Sequence, residues 1–360
     1  MRVLAVNSGS SSLKLRVVGA DDEIISSADL PASDLGALGR FVAGNHGLDA
    51  AAHRFVHGGA LRRATLLDAP ALRAIEAAGR LAPLHSAVAL ECARALGELR
   101  PELPQVACLD TAFHRTLPPA AFTYALPRDW IDKHDIRRYG FHGLSHAWAS
   151  GRAAEMVERP PATLRTVTAH LGAGVSLAAV AGGRCVDTTM GMTPNDGVAM
   201  ATRSGAVDPG VVLLLAEREG GPQAAREGLE RRAGLLGLSG LSSDMRTLLT
   251  AAETDDHARL AIEVYVHRLR AAVAAMAAAL GGLDALVFTG GVGENAAPIR
   301  AAVCHGLGFL GVELDDEANE RLSDDGLLSA ADSRATVLLV HAREELEMAR
   351  ETRAVLAHRG

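Results

Sequence analysis

Two stretches decide the fold: AVNSGSSSLKLRVVGADDEIISS at Ala5–Ser27 and TAHLGAGVSLAAVAGGRCVDTT at Thr168–Thr189. In the first, residues 2–6 read as a buried strand, Asn7–Ser12 as a polar turn and Leu13–Val18 as a second strand. A turn at Gly19–Asp22 then leads to a third strand at Glu23–Ser27. The second stretch repeats the order, with strand Thr166–Ala169, glycine turn His170–Gly174, strand Val175–Val180, hairpin turn Ala181–Gly183 and strand Cys185–Thr188. They share pattern more than identity, which predicts a duplicated three-stranded unit.

Between the two units, Pro70–Gly79 and Leu84–Leu99 carry helical spacing and Val106–Leu109 reads as a strand. Leu117–Arg138, rich in proline, aromatics and charge, reads as a long surface connection before helix resumes near Leu144. Beyond the second unit, Asp256–Leu280 reads as a long helix with two apolar stripes. One runs through Leu260, Val264, His267, Ala271, Ala274 and Ala278; the other runs through Ile262, Val266, Leu269, Val273, Met276 and Leu280. Two stripes predict two covered sides, in an internal layer or at a subunit interface. Leu286–Phe288 is a short strand ending in TGGVGEN, and Pro298 opens a helix where its missing amide costs nothing. A strand at Thr336–Val340 and a charged helix from about Glu344 complete the order. It predicts two α/β domains with a cleft between them, joined near residue 150 by a short hinge.

Composition narrows the class. A chain of 360 residues is about twice a typical domain. With 48 % hydrophobic and 22 % charged residues it is neither wholly disordered nor collagen-like nor membrane-spanning. The net charge of -7 leaves no basic excess to displace phosphate counterions, which argues against nucleic acid as a partner. The apolar run from Ala271 is broken by glycines and Asp284, so no membrane partner is expected, and the N-terminus turns polar too soon for a signal-peptide core. Cys92, Cys108, Cys185 and Cys304 form no CxxC pair and read as small buried side chains in a reducing compartment.

Chemistry is suggested first by NSGSSSLK, Asn7–Lys14, whose hydroxyls, amide, backbone donors and lysine could gather around a phosphate. Read alone, it serves as well for a hairpin whose serines cap their own backbone. Three further glycine turns, expected after strands, are His170–Gly174, Gly237–Arg246 and Thr289–Arg300. Glycine is the default at any strained corner, but several such turns in a repeated chain point to nucleotide phosphates, with the helix after Pro298 offering its positive end. The polar residues without an obvious structural task are Arg54 and His57 in HRFVHGG, His85, Asp110 and His114 in DTAFH, His142 and Arg203. The histidines supply no compact zinc set, and Mg²⁺ held mainly by phosphate oxygens, with a few Asn, Asp or Glu contacts, is the better-fitting ion.

Taken together, VLAVNSGSSSLKLRVV, HRFVHGG, DTAFH, YGFHGLSH, HLGAGVSLAAV, DTTMGMTPNDGVAMATRSGAVDPG, SGLSSDMR and FTGGVGENAAPIR run in order between residue 3 and about residue 355. They resemble the acetokinase family of the acetate/sugar kinase, Hsp70 and actin superfamily. The resemblance implies duplicated ribonuclease H-like (actin-like ATPase) α/β domains flanking a nucleotide cleft. The first domain would span 1–148, completed by helix 345–360. The second, 149–344, would carry the nucleotide loops and a dimer interface. It implies reversible transfer of the ATP γ-phosphoryl group to acetate, giving acetyl phosphate and ADP, with Mg²⁺ or Mn²⁺, in a cytoplasmic homodimer.

By the same resemblance Asn7 and Glu344 are the magnesium-side residues and Lys14 lies near the nucleotide phosphates. Arg54 clamps the acetate and phosphoryl groups, Arg203 and His142 stabilise the transferring group, and Asp110 handles a proton or orients acetate. Val56, Leu84, Phe141 and Pro194, with His85 alongside, form the acetate pocket. The segments His170, Leu171, Gly172, Ala173, Gly174; Asp244, Met245, Arg246; and Gly291, Val292, Gly293, Glu294, Asn295 bind nucleotide. Ala173, Asn195 and Asp196 depart from the family's HLGNG and TPxEG blocks. Only 39 residues separate Lys14 from Arg54, which predicts trimmed loops or helices in the first domain. Two other readings are a sugar kinase, which would need an aspartate to activate a neutral hydroxyl, and a non-catalytic ATP-binding module, which has no use for Arg54, Arg203 and an apolar pocket together.

Overall fold

A computed structural model describes residues 1–9, 12–31, 34–79 and 83–358, and for 83–86 the backbone only. The chain divides into two compact units. One comprises Met1–Arg115, Phe141–Trp148 and Arg343–Gly360; the other comprises Thr116–Gly140 and Ala149–Ala342.

In the first unit, β1 (Val3–Ser8), β2 (Ser12–Val18), β3 (Ile24–Pro31), β4 (Ala50–Phe55), β5 (Thr65–Leu66) and β6 (Gln105–Leu109) form one sheet in the order β3-β2-β1-β4-β6-β5. The first three strands are an antiparallel meander, β1, β4 and β6 run parallel, and β5 closes the edge antiparallel. The second unit has β7 (Arg165–Leu171), β8 (Val175–Ala181), β9 (Arg184–Thr188), β10 (Ala285–Thr289), β11 (Gly326–Leu327) and β12 (Thr336–Leu339), in the order β11-β12-β10-β7-β8-β9. Its directions match strand for strand, with β7, β8 and β9 antiparallel, β7, β10 and β12 parallel, and β11 the antiparallel edge. Both halves are therefore the same ribonuclease H-like sheet, as the repeated sequence pattern predicts.

The apolar run Val3–Val6 is buried throughout, as expected of a strand covered on both faces. Leu4, Val6, Leu13, Leu15 and Val17 pack with Leu38, Val42 and Leu96 from helices Leu35–Gly44 and Pro83–Leu99. Asp34 and Asp68 cap the Leu35–Gly44 and Ala69–Ala78 helices by accepting from the Ala37 and Ala71 amides. Helix Glu344–Ala357 returns to lie against β1, β4 and β6, where Cys108 Sγ comes within 3.6 Å of the Met348 carbonyl. That return brings Glu344, the helix's first residue, to the ends of the central strands. All four cysteines are buried, and burial raises the Cys92 thiol to about 11 and the Cys304 thiol to about 12, so neither is a ready nucleophile. Among the described residues no helix is long and apolar enough to cross a membrane.

Several elements differ from the sequence reading. Residues 117–138 are not a bare connection: they hold helices Pro119–Phe122 and Arg128–His134 and belong to the second unit. TGGVGEN is a helix, Gly290–Asn295, so the Pro298 helix (Ala297–His305) is the second after β10 and does not stand at the strand end. Gly237 follows no strand but lies inside helix Gly234–Ser239. On helix Asp256–Leu280 one stripe, including Val266, Leu269, Val273 and Met276, is buried, whereas Leu260, His267, Ala271 and Ala278 of the other face outward. The third strand runs on to Pro31 because it forms a full edge pairing with β2.

Candidate active site

In the first unit the register of three neighbouring strands assembles a charged knot. Val6 of β1 lies opposite His53 of β4, and Phe55 of β4 opposite Leu109 of β6. Asn7, Arg54 and Asp110 therefore meet where these strands end. Arg54 donates from Nε to Asp110 Oδ1 at 3.0 Å and from Nη2 to Asp110 Oδ2 at 2.7 Å, a two-pronged contact that fixes the guanidinium plane. Arg54 Nη1 donates to Asn7 Oδ1 at 3.1 Å and lies 3.0 Å from Glu344 Oε2, which also accepts from Asn7 Nδ2 at 2.8 Å. Burial pushes the Asp110 carboxyl upward, the Arg54 charge pulls it down and Glu344 pushes it up again. Burial alone would lower the Arg54 guanidinium, but the two carboxylates raise it above its ordinary range. One cation thus faces two acids in a site largely closed to water.

Phe141, His142 and Gly143 are fastened to the same knot through the backbone. The Gly143 amide donates to the Asp110 carbonyl at 2.8 Å, and His142 holds a left-handed φ of 53°, a strained value for a side chain with a β-carbon. Gly143 has no room for one: a Cβ there would clash with the Asp110 carbonyl oxygen and stand 2.9 Å from Phe113 Cβ. Phe141 is buried, its carbonyl bonded to His114 Nε2 at 2.9 Å and its ring edge-on to His57 at 5.7 Å. Burial lowers both histidines to about 4, with Arg62 adding to the effect at His57, so both are neutral structural groups. Val56 is buried, immediately beyond β4. Leu84 and His85 begin helix Pro83–Leu99, but their side chains lie outside the described residues. Lys14 is exposed within β2, as the strand reading of Leu13–Val18 expects, and pairs with Asn7 of β1 and Asp29 of β3; Asn7 and Ser8, read as part of the turn, belong to β1.

The second unit carries the remaining residues. In the turn after β7, the Gly172 amide donates to the Gly174 carbonyl at 3.0 Å, and the Ala173 carbonyl accepts from the Ala201 amide at 3.2 Å. Arg203 is tied to Pro194 by a 2.6 Å bond from Nη1 to the carbonyl. Gly290, at φ 79°, abuts the Leu171 backbone, so the Gly290–Asn295 helix and the His170–Gly174 turn are neighbours. Glu294 is less open than its motif suggests, because Oε1 accepts from the Gly290 and Ala342 amides at 2.9 Å each. Asp244 accepts from the Arg246 and Thr247 amides as an N-cap and pairs with the exposed Arg246 side chain, local contacts that do not join this group to the others.

Two arginines had no signal beyond their charge. Arg138 places Nη1 within 3.2, 2.8 and 2.9 Å of the Thr188, Thr189 and Met190 carbonyls and 3.3 Å from Asp196 Oδ2, so it braces the segment leading to Pro194. Arg300, 1 % exposed, donates to the Gly293 and Glu294 carbonyls at 2.9 Å each and closes the end of the Gly290–Asn295 helix. For a metal, Asn7 Oδ1 and the Glu344 carboxylate are hard oxygen donors of the type Mg²⁺ takes. Among the described residues no group of three or more His, Cys, Asp or Glu could hold an ion. The donor set therefore fits an ion completed by phosphate oxygens and water.

A duplicated ribonuclease H-like fold with glycine turns in one half and a buried arginine knot in the other defines a phosphotransferase class. Comparison with known proteins narrows it: the Acetokinase family matches residues 39–350, and the chain belongs to that family. It is 47 % identical over 316 residues to an acetate kinase of Gloeobacter violaceus, covering 87 % of this chain and 78 % of that one. An acetate kinase of Thermotoga maritima is 40 % identical over 399 aligned positions, covering 99 % of each. The fold superposes on the crystal structure of Porphyromonas gingivalis acetate kinase with a TM-score of 0.91, at 35 % identity and 99 % coverage of both. It also superposes on a propionate kinase from Francisella tularensis with a TM-score of 0.90, at 34 % identity, covering 97 % and 98 %.

Proposed function

We propose that this chain is an ATP-dependent acetate kinase, moving the γ-phosphoryl group reversibly between ATP and acetate. The observation that carries the residue assignment is the buried two-pronged Arg54–Asp110 contact on which Asn7 and Glu344 converge. Acetate is already an anionic nucleophile, so the chemistry needs no strong general base; the difficulty is bringing one anion against another. Arg54 takes the acetate carboxylate. Asp110 acts as the orienter of Arg54, because both of its oxygens are already engaged by the guanidinium. By the family resemblance, Val56, Leu84, His85, Phe141 and Pro194 are the residues assigned to the acetate methyl group.

Arg203 and His142 hold the charge that spreads over the equatorial oxygens during in-line transfer. Lys14 and the segments His170–Gly174, Asp244–Arg246 and Gly291–Asn295 bind ATP, with Ala173 contributing backbone only. Asn7 and Glu344 hold Mg²⁺, which when bound screens the phosphate charge. We assign a cytoplasmic homodimer from the family resemblance; the outward Val211, Leu213 and Leu214 of helix Pro209–Arg218 support an interface through the second unit.

The test is kcat/KM for acetate, propionate and butyrate at saturating MgATP. Acetate is expected to lead, with propionate a poorer but measurable substrate, since one methylene is worth about 1–3 kcal/mol. The likeness to a propionate kinase makes the second arm informative: a preference for propionate would move the assignment to that acid. Transfer to none of the three would remove the carboxylate reading.

A further inference from the structure

The backbone around Arg203 forces an acidic side chain close to it. The Ser204 amide donates to the Leu229 carbonyl and Thr202 Oγ1 to the Glu230 carbonyl, each at 3.0 Å, so both neighbours of Arg203 are fastened to the end of helix Pro222–Arg231. The Ala233 amide returns to the Thr202 carbonyl at 3.1 Å. Glu230 consequently emerges beside a guanidinium that is mostly shielded from water. A carboxylate so placed would ordinarily close onto the arginine and pair with it.

It does not. Glu230 Oε1 accepts from Asn195 Nδ2 at 2.9 Å, while Arg203 Nη1 donates to the carbonyl of Pro194, the preceding residue. Consecutive residues thus each take one member of what would otherwise be an ion pair. Among the described residues no ion pair engages Arg203; burial draws its guanidinium below the usual range, and Glu230 opposes this through space without contact. We propose that Asn195 is a positioning residue that tethers the Glu230 carboxylate away from Arg203, leaving guanidinium N–H groups open to the transferring phosphoryl oxygens. This rests on the role given to Arg203 above. A closed Arg203–Glu230 pair would have to be broken before each transfer, whereas the tethered carboxylate balances the buried charge without occupying its donors.

The test is a double-mutant cycle in the forward reaction with acetate and MgATP. Asn195→Leu, which frees Glu230, should lower kcat about tenfold while KM for acetate changes by less than about twofold. In the Glu230→Gln background the same substitution should cost less than about twofold in kcat, because no carboxylate remains to close. Asn195→Asp, of the same size, should behave like Asn195→Leu and be rescued in the same way, its oxygen accepting from the new amide. Equal losses in both backgrounds, or no loss with Glu230 present, would overturn the tether. Arg203→Ala is measured alongside: full turnover there would instead remove the role of Arg203 itself.

Discussion

Gly143→Ala tests whether the backbone contact between Asp110 and the Phe141–Gly143 segment sets the catalytic geometry. The added methyl would clash with the Asp110 carbonyl oxygen and sit 2.9 Å from Phe113 Cβ and 3.1 Å from the Asp110 carbonyl carbon. Ordinary carbon contacts need about 3.5–4.0 Å, so something must move by roughly 0.6–1 Å. Asp110 is the less movable partner, since its amide is bonded to the Phe55 carbonyl at 3.0 Å and its carboxylate to Arg54. The displacement therefore falls on His142 and Phe141, and the 2.8 Å Gly143–Asp110 hydrogen bond is lost with it. Overpacking of this kind costs about 1–3 kcal/mol of stability, and a shift of that size near reacting groups costs up to about 100-fold in rate. Urea melts and steady-state kinetics with acetate, propionate and MgATP read both effects. We expect kcat to fall at least about tenfold in a variant that stays folded at assay temperature. A folded variant with wild-type kcat would refute the coupling of His142 to Asp110.

Arg54→Ala should lose at least about 100-fold in kcat/KM for acetate and leave the Asp110 and Glu344 carboxylates without the cation between them; wild-type kinetics would remove Arg54 from the site. The third prediction concerns pH. Burial holds His53 near 4, below its ordinary 6.5, so the unfolded chain binds the extra proton between these values. Its contribution is complete above pH 6.5 and is lost as pH falls toward 4, at about 1.4 kcal/mol per pH unit. His53→Leu should flatten the decline of urea stability across that window by this slope, and an unchanged slope would show that His53 titrates normally in the folded protein.

The parts of the fold that could be read in advance are those whose local signals agree with their packing. Helix Asp256–Leu280 carries its boundaries in sequence: Asp255 caps one end by accepting from the His257 and Ala258 amides, and Gly281 ends the other in a left-handed conformation. Both three-stranded units show polar or glycine turns between short apolar runs. Helix Gly290–Asn295 could not be read that way, because three of its six residues are glycines. It stands because Gly290 packs on Leu171 and because Arg300, from the following helix, bonds the Gly293 and Glu294 carbonyls. Helix Pro209–Arg218 gave no amphipathic signal for a related reason: none of its residues is buried within the chain.

For the site, sequence disclosed identities but not partnerships. Arg54 and Asp110 are 56 positions apart, and Glu344 lies 337 positions from Asn7. Their meeting follows from parallel register among β1, β4 and β6 and from the return of the last helix, neither of which a linear motif contains. The same holds in the second unit. Asn195 and Asp196 looked like departures from a family block, yet each has a definite partner, Glu230 for one and Arg138 for the other. Arg138 in turn holds three successive carbonyls ahead of Pro194, and Pro194 holds Arg203. A substitution at Asn195 or Asp196 therefore acts first on Glu230 or Arg138 and reaches the surroundings of Arg203 through them, a coupling that the letters of the motif do not contain.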